Sequence, residues 1–277
     1  MNKSIILISI IFISSLASYC QEFRTPRPSP DATVSQTVGI TNITIDYSSP
    51  GVKSREIWGN VVPYGKIWRV GANEVTSITF STPVKVEGTE LQAGTFGIHI
   101  IPDQKEWEII FSSGTKVDDP MTYDDKKDAL RFKVIPQENP FTERMIFSIT
   151  DMTDSSANIN LCWEKLKITF SIDVETQKLV LENARNLNAW SELNSAAAYC
   201  LQNNINLEEG FRWVQASGLI NENYYNQRIK AQYLAKMNRK DEAIITMKKA
   251  IDYGSKINPA PFDFENMNKM LSDWMNK

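Results

Sequence analysis

Hydrophobic and polar positions alternate with a period of two from Thr41 to Val174, with interruptions that themselves read as turns. Thr41 to Tyr47 is the first such run, the pattern of a strand with one buried face. Ser49-Pro50-Gly51 closes it with a turn. After Pro63-Tyr64-Gly65, strands are expected at Ile67 to Val70 and at Val75 to Phe80, joined through Gly71 to Glu74. Further strands are expected at Val84 to Val86, Phe96 to Ile101 and Trp107 to Phe111. Residues Ser112 to Asp128 break the pattern and collect Asp118, Asp119, Asp124, Asp125 and Asp128, so they read as the longest loop of this region. Strands resume at Leu130 to Val134, Met145 to Met152 and Ala157 to Trp163. In the clearest run, Leu166, Ile168, Phe170, Ile172 and Val174 alternate with Lys165, Lys167, Thr169, Ser171 and Asp173. One wet face on such strands favours antiparallel pairing. No helix-period segment is available for crossovers, so the sheets must cover one another. The expected fold is an antiparallel β-sandwich, jelly-roll-like, with turns at the spacing such folds use.

At Thr176 the period lengthens towards four. Leu179, Ala184 and Leu187, then Trp190, Leu193, Ala197 and Leu201, suit amphipathic helices. An internal repeat follows: Ala198, Leu201, Glu209, Gly210, Val214 and Ser217 recur 33 positions on as Ala231, Leu234, Glu242, Ala243, Met247 and Ala250. Small and apolar residues at matching places in successive helix pairs resemble tetratricopeptide repeats, whose period is about 34. The expected organisation is a leader at 1–20, an extended lead-in at 21–30, a β region at 31–174 and, as a separate domain, a short α-helical TPR-like repeat at 175–277. Such a stack would offer a concave surface to a protein or peptide partner.

The first residues carry no fold signal of their own. Lys3 precedes the apolar run Ile5 to Leu16 and small residues follow, the layout of a secretory signal peptide with cleavage after Cys20. The protein is therefore expected to be exported, to the periplasm or the exterior. Lipid attachment at Cys20 is the less favoured reading, because Tyr19 stands where that pattern wants a small side chain. No later segment approaches the length of a transmembrane span. Removal of the leader takes Lys3 and moves the formal net charge from -3 to -4, a balance unsuited to nucleic acid, which needs a basic footprint. Cys162 and Cys200 remain, outside any Cys-x-x-Cys pair. They read as two buried thiols in different domains, although an exported protein could bridge them.

The chemistry is first narrowed by what is missing. His99 is the only histidine. There is no Gly-x-Ser-x-Gly elbow, phosphate-binding loop or dinucleotide fingerprint. One imidazole without a Cys pair serves zinc poorly, and the aspartate loop lacks the calcium-loop signature, so no metal or other cofactor is expected. What remains is the concentration of polar groups at Trp68, Arg69, Asn73 and Glu74. With Ser48-Ser49-Pro50-Gly51-Val52-Lys53-Ser54-Arg55-Glu56-Ile57-Trp58-Gly59 before it and Leu91-Gln92-Ala93-Gly94-Thr95-Phe96-Gly97-Ile98-His99 after it, this stretch resembles the DUF2911 family of secreted bacterial proteins. That family has no established activity. The resemblance implies a histidine at the place of His99 and a helical segment after the β region. It also implies an aromatic, glycine-rich stretch before Tyr123-Asp124, where this chain has Val117 to Thr122.

Two readings of these residues stand side by side. Arg69 and Glu74 would pair with each other or with Arg55 and Glu56, and His99 would be a core imidazole satisfied by hydrogen bonds. Alternatively, Tyr64, Trp68, Arg55, Arg69, Asn73, Glu74 and His99 line a concavity, an aromatic platform with oriented polar groups that fits a glycan or a peptide. On the second reading the protein is a binding or scaffold module of the cell envelope. Whether it is an enzyme stays open, the alternative being a hydrolase of glycans with Glu74 and His99 as its catalytic candidates.

Overall fold

A computed structural model describes residues 25–113 and 123–276. The leader expected at 1–20 and the aspartates Asp118 and Asp119 lie outside the described residues. Among its described residues the β region holds ten strands: β1 (Asp31–Val38), β2 (Thr41–Ser48), β3 (Ser77–Phe80), β4 (Val84–Val86), β5 (Thr89–Leu91), β6 (Gly94–Ile101), β7 (Trp107–Ser113), β8 (Asp128–Val134), β9 (Gln137–Thr150) and β10 (Ser156–Asp173). They form a six-stranded sheet in the order β1-β2-β3-β6-β7-β8 and a four-stranded sheet in the order β5-β4-β10-β9. Their pairings are antiparallel.

Alternation explains why both sheets bury one face. Ile43 and Ile45 of β2, Ile98 and Ile100 of β6, Ile109 and Phe111 of β7, and Ile168, Phe170 and Ile172 of β10 belong to one buried apolar cluster drawn from both sheets. The intervening residues face outward. At one end of this core four indoles pack together: Trp58 lies 4.6 Å from Trp107 and 5.8 Å from Trp163, and Trp68 stacks on Trp163 at 5.9 Å. The buried Nε1 groups of Trp58 and Trp163 have no hydrogen-bond partner among the described residues. Those two rings meet edge to face at 82°, the arrangement in which an aromatic edge approaches its neighbour's negative face.

The structure corrects several sequence expectations. Ile67 to Val70 is no strand. Only Trp68 pairs, as a single bridge to Ile100, before Val70 and Gly71 turn the chain away with φ of 60° and 123°. β1 was hidden by its composition, since only Val38 of its eight residues is fully buried. β9 begins at Gln137, well before Met145. The two runs expected at 157–163 and 166–174 are one long strand, β10, which shifts register about Glu164, where φ is 55°.

Among the described residues six α-helices follow: α1 (Thr176–Ala184), α2 (Trp190–Asn203), α3 (Leu207–Ile220), α4 (Tyr224–Lys236), α5 (Lys240–Gly254) and α6 (Phe264–Asn276). The pair α2 and α3 recurs as α4 and α5 at the spacing of the sequence repeat. They build two cores of their own, one around Ala197, Cys200, Trp213, Val214 and Tyr233 and one around Tyr224, Ala231, Met247, Ala250 and Met267. Small residues let the helices approach. A Cβ on Gly210 would sit 2.0 Å from the Tyr233 hydroxyl oxygen, which donates to the Ala197 carbonyl at 2.6 Å. The helices join the strands through few polar contacts: the Thr176 hydroxyl donates to the Asp154 carbonyl, and Lys85 pairs with Glu175 at 3.3 Å. Cys162 and Cys200 are both free thiols, Cys200 fully buried and Cys162 half-buried, and burial pushes both above the ordinary thiol range. Among the described residues no helix is long and apolar enough to cross a membrane.

Candidate functional site

The stretch from Trp68 to Glu74 distributes its side chains to two sides of the six-stranded sheet. Trp68 exchanges backbone hydrogen bonds with Ile100, at 2.8 and 2.9 Å. Its indole therefore turns inward with Ile100, onto Trp58 and Trp163, and its Nε1 donates to the Gly71 carbonyl at 3.2 Å. The same register sets Arg69 opposite His99, on the outer face, where facing side chains start about 5 Å apart. Trp68 is thus part of the core and not a platform beside Arg69. The connection is fixed by its own bonds: the Thr76 hydroxyl donates to the Val70 carbonyl, and a Cβ on Gly71 would meet the Ser48 carbonyl oxygen at 2.7 Å.

The remaining candidates at this end are engaged elsewhere. Glu74 does not pair with Arg69 but with Arg27 of the lead-in, at 2.8 and 2.9 Å, and it accepts from the Ser48 hydroxyl. Arg27 also holds Asp31. Chiefly through the Arg27 hydrogen bond, the Glu74 carboxyl is held below the usual carboxylate range. Asn73 donates to the Ser29 carbonyl and the Ser48 hydroxyl. Arg55 donates to the carbonyls of Gly51 and Val52, so it braces its own loop. The Tyr64 ring lies against Gly59. Arg27, Asp31, Thr33, Asp46, Ser48 and Glu74 border a cavity of about 320 Å³, which Val75 and Ser77 close on the β6 side.

His99 sits on the other side of Val75. It is 2% exposed, and neither Nδ1 nor Nε2 has a hydrogen-bond partner among the described residues. The expectation of an imidazole satisfied by hydrogen bonds is therefore not met. A Cβ on Gly97 would meet Val75 Cγ1 at 3.4 Å and His99 Cε1 at 3.6 Å. Ile110 of β7 lies across from it and is fully buried, yet outside the inter-sheet core. The Tyr123 ring covers the imidazole at 5.0 Å. The Tyr123 hydroxyl donates to Asp128 Oδ2 at 2.6 Å and accepts from Arg131 at 2.7 Å, and Arg131 Nε also reaches that carboxylate oxygen at 2.7 Å. Glu108 completes the network on Arg131 at 3.0 Å.

Burial and neighbours set the protonation of this cluster. Burial moves the His99 imidazole below its ordinary value, with the Asp128 charge opposing, which favours the neutral ring at pH 7, with one nitrogen able to donate and the other able to accept. Tyr123 is pushed well up, first by burial and then by its bond to Asp128. Arg131 is raised by the same carboxylate. Two further groups remain unsatisfied. Arg69 makes no side-chain hydrogen bond or ion pair among the described residues, and its Nε is fully buried. Asp128 Oδ1 is likewise buried without a partner.

The outer face thus carries Arg69 and His99 from the sequence candidates, joins Tyr123, Asp128 and Arg131 to His99, and leaves Trp68, Tyr64, Arg55, Asn73 and Glu74 in structural contacts. The additions were hard to find because their proximity depends on strand order. Arg131 reaches His99's neighbourhood only because β8 lies beside β7. Among the described residues no three His, Cys, Asp or Glu side chains gather as a metal site. A second cavity, about 410 Å³ and mostly apolar, lies where Ile40 meets α1 and α2, but it lacks such a convergence of unpartnered polar groups.

The family described as Protein of unknown function (DUF2911) matches residues 29–172. No curated protein and no solved structure matches the chain.

Proposed function

The chain belongs to the DUF2911 family, and we propose that its β region is a binding module that holds a small polar ligand on the outer face of the six-stranded sheet, at Arg69 and His99. The observation that carries this reading is the pair of buried imidazole nitrogens of His99 that have no hydrogen-bond partner among the described residues, on the sheet face where Arg69 Nε is also buried without one. Leaving such groups unsatisfied costs about 1–3 kcal/mol each, and a ligand that satisfies them removes that cost. We read the two sheets as a jelly-roll-like sandwich, supported by the core they share. The helical tail is read as a tetratricopeptide-like stack, supported by the 33-residue recurrence of its helix pairs, with a surface for a protein or peptide. The leader pattern from Lys3 to Cys20 supports, on this reading, a location in the cell envelope or outside the cell.

A glycan hydrolase is the weaker reading. A general acid for glycoside cleavage needs a raised carboxyl pKa and a second carboxylate about 5 to 10 Å away. Glu74 instead has a lowered one and is held by Arg27. Thermal unfolding of the protein against oligosaccharides, short peptides, amino acids and organic acids tests the proposal. A ligand at a hundred times its dissociation constant adds about 2.7 kcal/mol of stability. The shift should be present in the wild type and in Glu74→Gln but lost in His99→Ala and Arg69→Gln. A ligand whose shift survives both of those substitutions places binding elsewhere on the molecule.

A further inference from the structure

The β1–β2 turn and the first two helices enclose space that no core fills. A cavity of about 410 Å³ lies there, within the size range of small-molecule sites and at the kind of junction where they concentrate. Two helix faces shape it. Val180, Asn183 and Ala184 share one face of α1, while Glu192, Ser195, Ala196 and Tyr199 follow the i, i+3, i+4, i+7 spacing of one face of α2. Ala184 and Ala196 are buried and set an apolar floor, to which Leu187 and Ile40 add apolar walls. Ile40 is fixed by its neighbour. A Cβ on Gly39, whose φ is 57°, would fall 2.0 Å from Thr176 Oγ1 and 2.5 Å from the Asp154 carbonyl oxygen. The turn therefore rests directly on the start of α1 and on the connection between β9 and β10.

Charge distinguishes the rim from the floor. Glu192 lines the cavity. Burial and then the Asp154 charge raise the Tyr199 hydroxyl, so Asp154 stands near the same rim. Among the described residues neither carboxylate has a cation within ion-pair distance. The basic groups of α1 are engaged elsewhere, Lys178 with Glu175 at 2.9 Å and Arg185 with Glu209 at 3.0 Å, and α2 contains no Lys, Arg or His. The Tyr199 ring adds an aromatic wall, and aromatic faces also attract cations. From this arrangement we infer that the cavity binds a small hydrophobic amine, its apolar body on Ala184, Ala196, Leu187 and Ile40 and its ammonium group at Glu192 and Tyr199. The inference stands apart from the binding proposed at His99. A ligand held here touches a strand turn and two helices at once, so it ties together regions that otherwise share few contacts.

Isothermal titration calorimetry of the protein with hexylamine, hexanol and hexanoate, which share one apolar body and differ in the charge of the head, tests the inference. Hexylamine should bind saturably and about fivefold more tightly than hexanol, the ratio that an ion pair at a partly exposed site supplies. Hexanoate should bind most weakly. Glu192→Gln should reduce hexylamine binding to that of hexanol and leave hexanol unchanged, and Glu192→Lys should invert the order in favour of hexanoate. Ser195→Trp, at an exposed position of α2, should fill the cavity and abolish binding of all three while the helical circular dichroism signal is retained. Hexylamine bound no more tightly than hexanoate overturns the inference, as do a preference for the amine that persists in Glu192→Lys, saturable binding that survives Ser195→Trp, and the absence of binding by all three compounds.

Discussion

Polar groups buried without partners are uncommon in folded proteins, and each asks for an explanation. His99 has two such atoms, while Glu74 has none to spare, and the contrast separates a site residue from a clamp. His99 shows it through pH. The folded imidazole lies below the ordinary value of 6.5, because burial outweighs the pull of Asp128. Between the folded value and 6.5 the unfolded chain therefore binds more protons, and stability falls as pH drops through that window. The contribution is fully present above 6.5 and constant once pH is below the folded value. The titratable groups that act on the ring are Tyr123, which packs on it, Asp128 and, through Tyr123, Arg131. Denaturant unfolding at stepped pH should show this loss in the wild type and its absence in His99→Gln. In Asp128→Asn the imidazole should titrate lower still, since the carboxylate that favours its charged form is gone; an unchanged titration would show that the two do not interact. Glu74 predicts the opposite kind of result. Its side chain and that of Arg27 are 64% and 41% exposed, and exposed pairs contribute about 0–1 kcal/mol. Glu74→Gln should cost no more than that and leave ligand shifts at His99 intact.

The elements show how far a linear pattern reaches. Period-two runs revealed β2, β6, β7, β8 and β10, because each buries one face against a common core, and the lengthened period revealed the helices. β1 escaped because an edge strand with one fully buried residue has no hydrophobic alternation to display. The connection at Trp68 to Glu74 was legible as unusual but not as divided. Its alternation between Trp68 and Arg69 could be assigned to faces only once the bridge to Ile100 was known, and the pairing of Glu74 with Arg27, 47 residues away, leaves no local trace. Tyr123, Asp128 and Arg131 reach His99 through the order of β6, β7 and β8, which composition does not encode. Gly71 is the element on which this division depends. Its φ of 123° is a conformation that L side chains rarely adopt, and a Cβ there would press on the Ser48 carbonyl oxygen. Gly71→Ala should destabilise the protein by about 1–3 kcal/mol. It should also weaken binding at Arg69 more than Glu74→Gln does, because it shifts the backbone that aims Arg69 outward and Trp68 inward. Equilibrium unfolding and the ligand-dependent thermal shift check the two parts separately, and a Gly71→Ala protein as stable as the wild type would mean that the turn relaxes without strain.

At the scale of the whole chain, strands and helices keep separate cores. The buried residues between the sheets form one cluster, and the helices form two others that share no member with it. Among the described residues the Thr176–Asp154 hydrogen bond, the Lys85–Glu175 ion pair, and contacts near Ile40 and Lys178 link them. Exposed ion pairs and single hydrogen bonds each contribute only about 1 kcal/mol, so the two regions should respond independently to damage in either core. Gly210 offers a sharp test. It lies where α3 meets α2 and α4, and an added Cβ would fall 2.0 Å from the Tyr233 hydroxyl oxygen and 2.9 Å from Cys200 Cβ. Tyr233 cannot simply swing aside, because it is fully buried and its hydroxyl is tied to the Ala197 carbonyl. Overpacking of this kind costs about 1–3 kcal/mol or more. Gly210→Ala should lower the thermal midpoint of the helical circular dichroism signal, while the His99 imidazole resonances keep the dispersion of the wild type. If those resonances are lost together with the helical signal at the same lowered temperature, the strands and helices unfold as one cooperative unit, and the ligand site must be understood as held in place by the tail as well as by its own sheet.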